Sequence, residues 1–165
     1  MKITKEKNFI REAIHLALKS AKAGNDPFGA VLVYKGEIVG TSDDKSVKKS
    51  DPTAHAELNL IRSYCKKNKV FSLKGYSLYT SSEPCIMCSG AIYWSGISRV
   101  VFSVSQDTLK KYTKGKSKPT CRFCVNMGAH KIPVIGPMLE EEGLKVFDGF
   151  KLNRKVQRHR KLFNK

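Results

Sequence analysis

The sequence lacks any apolar stretch long enough to cross a membrane. No run approaches the roughly 20 apolar residues that a bilayer-spanning helix requires, and residues 1–11 lack the apolar block of a secretory signal. Internal repeats and low-complexity segments are absent as well. These absences argue against a membrane protein and against a secreted one, and they predict a protein that stays in the cytoplasm.

Acidic residues are scarce. The chain has 14 Asp and Glu residues against 31 Lys and Arg residues, which gives a net charge of +17. Such a surplus favours partners that carry phosphate, although a basic surface can also serve solubility alone. Residues 151–165 hold seven of the cations and no acid, and they predict a basic helical tail. Nucleic acid is therefore one candidate partner, although not the favoured one.

Cysteine occurs in a number that does not suit a disulfide framework. There are five cysteines, an odd number, in a chain without an export signal. Thiols in this setting are typically kept reduced and serve metal binding or packing. A metal site is therefore the first function to test.

The length and the hydrophobic pattern predict one α/β domain. A chain of 165 residues is the size of a single core, so we expect residues 1–165 to form one domain. Helix-spaced apolar residues over 10–21 precede a β-hairpin, and later strands and helices alternate, which predicts parallel pairing within a mixed sheet. The predicted strands are 29–34, 37–41, 76–80, 98–102 and 132–136; the later helices are 55–65, 84–94 and 139 onward; the long loops are 42–51 and 112–131.

Two short motifs hold residues that bind metal or move protons. These residues are His55, Glu57, Cys85 and Cys88. One imidazole and two thiolates make three zinc ligands and leave a fourth tetrahedral position open, as in catalytic zinc sites. A structural site would normally supply a fourth protein ligand.

The spacing within each motif carries a geometric expectation. Cys85 and Cys88 lie three apart on one helical face, near a helix N-terminus that favours the thiolate. His55 and Glu57 lie two apart, so in a regular helix they would diverge by about 200°. They can meet at one metal only if the start of their helix points at it.

The H-x-E and P-C-x-x-C pattern is the signature of the zinc deaminases, and the sequence resembles the cytidine deaminase superfamily over roughly residues 8–104. The match is most similar to its guanine and nucleoside deaminase branch, and tRNA adenosine deaminases are near relatives. The segments that carry the resemblance are 27–31, 51–57 and 83–94. The resemblance implies a three-layer α/β/α, cytidine deaminase-like fold with a mixed five-stranded sheet, and a homodimer.

The resemblance also implies a site. A Zn²⁺ ion held by the histidine and the two cysteines would activate water for attack on the ring carbon that bears the amino group. Glu57 would be the catalytic proton shuttle. Phe28 and Ala56 match positions that relatives use to stack and hold the base, and Asp44 occupies the position of a substrate-binding asparagine. Because an ionised carboxylate only accepts hydrogen bonds, Asp44 favours a base or nucleoside over a nucleotide.

The resulting hypothesis is zinc-dependent hydrolytic deamination of a purine base or nucleoside, with guanine or guanosine favoured. Two alternatives are a tRNA adenosine deaminase, which the positive charge supports, and a non-catalytic zinc module that binds nucleic acid. The intact Glu57 argues against the second. Cys121, Cys124 and His130 could form a second metal site, but free cysteines are the better interpretation.

Overall fold

The computed structural model describes residues 2–113 and 119–149. The predicted tail, 151–165, lies outside these residues. The elements are α1 Lys2–Lys22, β1 Gly29–Tyr34, β2 Glu37–Asp43, α2 Ser46–Lys49, α3 Ala56–Asn68, β3 Ser77–Ser82, α4 Ile86–Trp94, β4 Arg99–Val104, α5 Gln106–Thr113, α6 Cys121–Val125, β5 Val134–Ile135 and α7 Glu140–Leu144, followed by a 3₁₀ turn, Lys145–Phe147.

The strands form one mixed sheet in the order β2-β1-β3-β4-β5. β1 is antiparallel to β2 and β3, whereas β3, β4 and β5 run parallel. The parallel pair β3 and β4 is connected through α4, the crossover that alternating strands and helices predict. The predicted mixed five-stranded sheet is confirmed.

Helices cover both faces of the sheet because the strand residues alternate between two cores. On β1, Ala30 and Leu32 face a core that includes residues of α3, α4 and α6. Val31 and Val33 face a second core, built from α1 and the 3₁₀ turn. This alternation is the period of two that a strand imposes on its side chains, and it gives the predicted three layers.

Helix α1 lies so close to the sheet that only glycine fits at the start of β1. A Cβ atom on Gly29 would lie 2.3 Å from the carbonyl oxygen of Ala13. The Gly29 amide donates to the Ser81 hydroxyl at 3.0 Å, which ties β1 to β3. This packing fixes the backbone next to Phe28.

Three sequence predictions need correction. Both helices that carry the metal motifs begin later than expected, at Ala56 and Ile86. The loop predicted over 42–51 contains the end of β2 and the one-turn helix α2. The loop predicted over 112–131 contains α6, whose five residues are too few to show a helical period. In the described part of the chain, no helix is long and apolar enough to cross a membrane.

Candidate active site

His55 reaches the site because it precedes helix α3 instead of lying in it. It is the N-cap residue, with an extended backbone at φ −68° and ψ 154°. Glu57 lies in the first turn of the helix and is buried. The sulfur of Cys88 is 3.7 Å from His55 Nδ1 and 3.6 Å from Glu57 Oε2, so both side chains converge on one atom. His55 and Glu57 can therefore meet at one metal position. The divergence of about 200° applies only to residues that both lie in the helix, and His55 is an N-cap residue with an extended backbone.

The two cysteines are placed in the same manner at the start of α4. Cys85 is the N-cap residue, with φ −71° and ψ 173°, and its sulfur lies 3.6 Å from His55 Nδ1. Cys88 is buried within the first turn. The ligand atoms of His55, Cys85 and Cys88 all lie within 4.8 Å of one another. Two helix N-termini therefore meet at one cluster of donor atoms.

The donor atoms fit a zinc ion. Tetrahedral zinc with ordinary Zn–S and Zn–N bonds separates a thiolate sulfur from an imidazole nitrogen by about 3.6 Å. The two S···N distances are 3.6 and 3.7 Å. Among the residues that the structure describes, these three form the one group of His, Cys, Asp or Glu side chains arranged closely enough to hold a metal.

The protons of the cluster are distributed unevenly. The hydrogen bond from the Cys88 thiol lowers the pKa of Cys85 to about 4, and His55 adds to this effect. Burial alone would lower the pKa of His55, but its hydrogen bond with Cys85 and the charge of that thiolate raise it to about 9. Donation to Cys85, and burial, raise the pKa of Cys88. At pH 7 the cluster therefore holds one proton on His55 and one on Cys88.

We expect zinc uptake at pH 7 to release about two protons per ion, because the metal takes neutral imidazole and thiolate ligands. The protons come from His55 and Cys88, while Cys85 is already ionised. Zinc affinity should therefore rise with pH, more steeply below about pH 9 than above it, because His55 loses its proton near that pH whereas Cys88, whose pKa is raised from its ordinary value, still has to release its own. Calorimetry in buffers of different ionisation enthalpy measures the released protons. Uptake without proton release would contradict this distribution.

Glu57 is suited to exchanging protons. Burial raises the pKa of its carboxyl group, and the nearby charge of Cys85 adds to this, to about 7. A group that both takes and gives a proton works best when its pKa lies near the operating pH.

Asp44 lies at the edge of this cluster. Its amide donates to the Phe28 carbonyl oxygen at 3.0 Å, which joins two of the predicted substrate residues. Its Oδ1 accepts from the amide and the hydroxyl of Ser46, whereas Oδ2 is buried without a hydrogen-bond partner. Burial raises the pKa of Asp44, and its charge acts on both His55 and Glu57.

The other two predicted substrate residues differ in exposure. Ala56 is fully buried at the first position of α3. Phe28 is half-buried, and its ring centroid lies 6.1 Å from that of Phe147. Phe147, which lies in the 3₁₀ turn and is remote from Phe28 along the sequence, thus packs near the Phe28 ring.

Sequence reasoning missed Glu83, which positions the cysteine motif. Its carboxylate accepts from the amide of Gln106 at 3.0 Å and from the amide of Cys121 at 2.9 Å. The Gln106 side chain returns a bond to the Pro84 carbonyl oxygen at 2.9 Å. Glu83 therefore holds the first residues of α5 and α6 beside the segment that carries Cys85 and Cys88.

The possible second metal site is not assembled. Cys121 is buried, and burial raises the pKa of its thiol to about 12, which opposes the thiolate that a metal requires. His130 lies instead against Tyr93, with ring centroids 6.1 Å apart. None of the five cysteines, all of which the structure describes, forms a disulfide bond.

Comparison with known proteins agrees with this geometry. Residues 3–104 match the family described as the cytidine and deoxycytidylate deaminase zinc-binding region. A probable cytosine deaminase from Schizosaccharomyces pombe is 36% identical over 88% of this chain and 92% of its own. A tRNA-specific adenosine deaminase from Buchnera aphidicola subsp. Baizongia pistaciae is 40% identical over 92% of this chain and 91% of its own.

A solved structure extends the similarity to the fold. The X-ray structure of guanine deaminase from Bacillus subtilis is 31% identical, with a TM-score of 0.61, and the match covers 88% of this chain and 95% of that one. The family match includes His55, Glu57, Cys85 and Cys88. On its sequence, its fold and the donor set of its site, this chain belongs to the cytidine and deoxycytidylate deaminase superfamily.

Proposed function

We propose that this protein hydrolyses the amino group from a purine base or nucleoside and releases ammonia, with guanine or guanosine as the favoured substrate. The observation that carries the choice of substrate is the buried carboxylate of Asp44, whose Oδ2 has no protein partner. The similarity to a guanine deaminase over most of both chains supports the same choice.

Each residue of the cluster has a task in this reaction. His55, Cys85 and Cys88 would hold zinc, which when bound lowers the pKa of water and so supplies a nucleophile at neutral pH. Glu57 takes a proton from the water and passes it to the ring nitrogen; it then takes the second proton, from the hydroxyl that has added to the ring carbon, and gives it to the departing amine. Water and the aminopurine are consumed, and the oxopurine and ammonia are formed. The burial of Glu57 keeps bulk water from competing for these protons.

Asp44 favours substrates with additional N–H or O–H groups. A carboxylate accepts hydrogen bonds and repels phosphate. Guanine keeps ring N–H donors besides the amino group that leaves, and a nucleoside adds sugar hydroxyls. A donor from the substrate would complete the coordination of Oδ2, which the protein leaves unfilled.

The Asp44→Asn variant is expected to change the substrate preference. An amide of the same shape both donates and accepts, so the ratio of kcat/KM between guanine and adenine substrates should shift about 10- to 100-fold, the worth of one hydrogen bond to a charged group. Asp43→Asn is the matched control, because that neighbouring carboxylate accepts from Lys45 instead. Unchanged relative rates in Asp44→Asn would show that Asp44 does not contact the substrate.

Ammonia release by the zinc-loaded protein tests the proposal. The panel contains guanine, guanosine, deoxyguanosine, adenine, adenosine, cytosine, cytidine and tRNA, with Glu57→Ala as the blank. Turnover of a guanine compound that is absent from the blank supports the proposal. Turnover of cytosine or cytidine alone contradicts the purine assignment.

Deamination of adenosine in tRNA is the second candidate. The tRNA-specific relative aligns over 92% of this chain, and the net charge of +17 suits a polyanion. Ammonia release from tRNA, with all small purines inert, would establish it. The third interpretation, a non-catalytic zinc module that binds nucleic acid, is disfavoured because Glu57 contacts the ligand Cys88 and no structural site needs a proton shuttle.

We further propose that the active form is a homodimer. Helix α4 contains no charged residue, and it packs against α6. The exposed apolar side chains at the start of α4, in α6 and just after α6 are Ile86, Phe123 and Met127, and Trp94 at the end of α4 is exposed as well. In a chain of charge +17, two copies meet with least repulsion on a face of little charge, and Arg122 of α6 is the one charged residue in these two helices. The molar mass in solution, compared between the wild-type protein and Phe123→Glu, tests this assembly.

A further inference from the structure

A second surface lies at the far ends of the helices that carry the metal ligands. It comprises the exposed residues Lys66, Lys67, Lys69, Phe71, Lys74 and Trp94, and we call it the distal surface. Helices α3 and α4 both begin at the ligand cluster and end here. The 13 residues of α3 span about 20 Å, so this surface is separate from the candidate active site.

Phe71 is almost wholly exposed. The residue is 97% accessible, the highest value among the exposed large hydrophobic residues described. The backbone around it is nevertheless held in place, because the amide of Leu73 donates to the Ser95 carbonyl oxygen at 2.7 Å. The Leu73 side chain is fully buried, and the Gly75 amide donates to the Ser98 hydroxyl at 2.8 Å. A fixed loop therefore presents an aromatic ring to solvent.

A second exposed aromatic ring lies beside this loop. Trp94 is 84% accessible, the next highest value of that kind among the described residues. It directly precedes Ser95, the residue whose carbonyl oxygen accepts from Leu73. One hydrogen bond therefore joins the two backbone segments that carry the two most exposed large apolar side chains described.

The distal surface is uniformly positive. Between Glu57 and Glu83 the sequence has five cations and no acidic residue. Within the described residues, none of the ion pairs involves Lys66, Lys67, Lys69 or Lys74. Lys66 and Lys67 complement the negative end of α3, as lysines in a last turn generally do. Lys69 is the C-cap residue of α3, so the same explanation covers it, whereas Lys74 lies beyond the helix end and is not explained in this way.

We infer that the distal surface binds single-stranded nucleic acid, with lysines contacting phosphates and the rings of Phe71 and Trp94 stacking on bases. Exposed aromatic rings within a positive surface are the combination by which proteins hold single strands without reading sequence. The side chains of Ser72 and Lys74, which are polar and exposed, interrupt the apolar surface of this loop. A membrane-binding surface would instead need a continuous apolar face. The inference is independent of which substrate is deaminated.

Binding of a labelled single-stranded RNA to the zinc-loaded, full-length protein tests the inference. The probe is a fluorescein-labelled oligouridine of about 12 nucleotides, within the span of single-strand sites, followed by anisotropy between about 50 and 200 mM salt. Phe71→Ala should weaken binding about 5- to 100-fold, the loss expected for one stacked base. Lys69→Glu combined with Lys74→Glu should weaken binding further and flatten the salt dependence.

The matched control is Lys19→Glu combined with Lys22→Glu. These lysines are exposed in the last turn of α1 and undergo the same change of charge. Every variant keeps residues 151–165, so binding through the basic tail alone would leave Phe71→Ala equal to the wild type and overturn the inference. Equal weakening by the control, absence of RNA binding, or binding only to vesicles of anionic lipid would also overturn it. Unchanged ammonia release by the Phe71 variant confirms that it is folded.

Discussion

Replacing Glu57 by glutamine is expected to lower kcat for deamination by about 10²- to 10⁴-fold, the usual contribution of a positioned proton shuttle. The amide keeps the shape of the side chain but cannot take a proton from water. Zinc content should be unchanged, because the ligand set consists of His55, Cys85 and Cys88. Steady-state ammonia release, with zinc measured by elemental analysis on the same samples, separates a lost proton shuttle from a lost metal.

The appropriate comparison is Glu37→Gln. Glu37 is exposed and pairs only with Lys5 among the described ion pairs, so the same chemical change there should leave kcat within about twofold, as surface substitutions generally do. If Glu57→Gln keeps the full rate with zinc bound, the protons move through another group and the assignment of Glu57 is wrong.

Replacing Cys85 by serine is expected to remove both the metal and the activity. A serine hydroxyl is a poor zinc ligand beside a thiolate, and among the described residues the candidate site has three protein ligands to begin with. Changes outside the ligand set of zinc proteins already cost about 10- to 100-fold in affinity, so the loss of a ligand should exceed that range. The variant should be purified with little zinc and release no ammonia.

Cys124→Ser provides the matched control. Cys124 is a half-buried thiol on the neighbouring helix α6, and burial raises its pKa, which opposes metal binding. This variant should keep one zinc per chain and the wild-type rate. If Cys124→Ser lost zinc and Cys85→Ser kept it, the metal would instead be bound by the possible second site of Cys121, Cys124 and His130.

The three candidate metal ligands, which the structure brings together, could be selected from the sequence because their chemistry and spacing are local. The side chain types of His55, Cys85 and Cys88 limit the metal, and the proline before the cysteines indicates a helix start. For His55 and Glu57, the sequence predicted only that they could converge if the start of their helix pointed at the metal. Their convergence depends on a cap residue whose backbone is extended, and element boundaries are the part of a helix that a sequence defines least well.

Glu83 could not be assigned from sequence for a different reason. Its partners are backbone amides of Gln106 and Cys121, which are remote along the chain and have no side-chain signature. The prediction of a loop over 112–131 concealed α6, which supplies one of those amides. An acidic residue at the end of a buried strand was the one available signal, since such a carboxylate needs hydrogen-bond donors. The pairing of the strands, by contrast, followed from the alternation of elements.

The single carboxylate of Glu83 also has a consequence for protein engineering. Because it binds the amides at 106 and 121, both ends of the intervening chain are anchored beside one side chain. The entropy of closing such a loop grows only slowly with length, by roughly 0.6 kcal/mol for each doubling. A foreign peptide or a small reporter domain inserted between α5 and α6 should therefore leave the cysteine motif in place, which makes this connection the natural position for an insertion fusion.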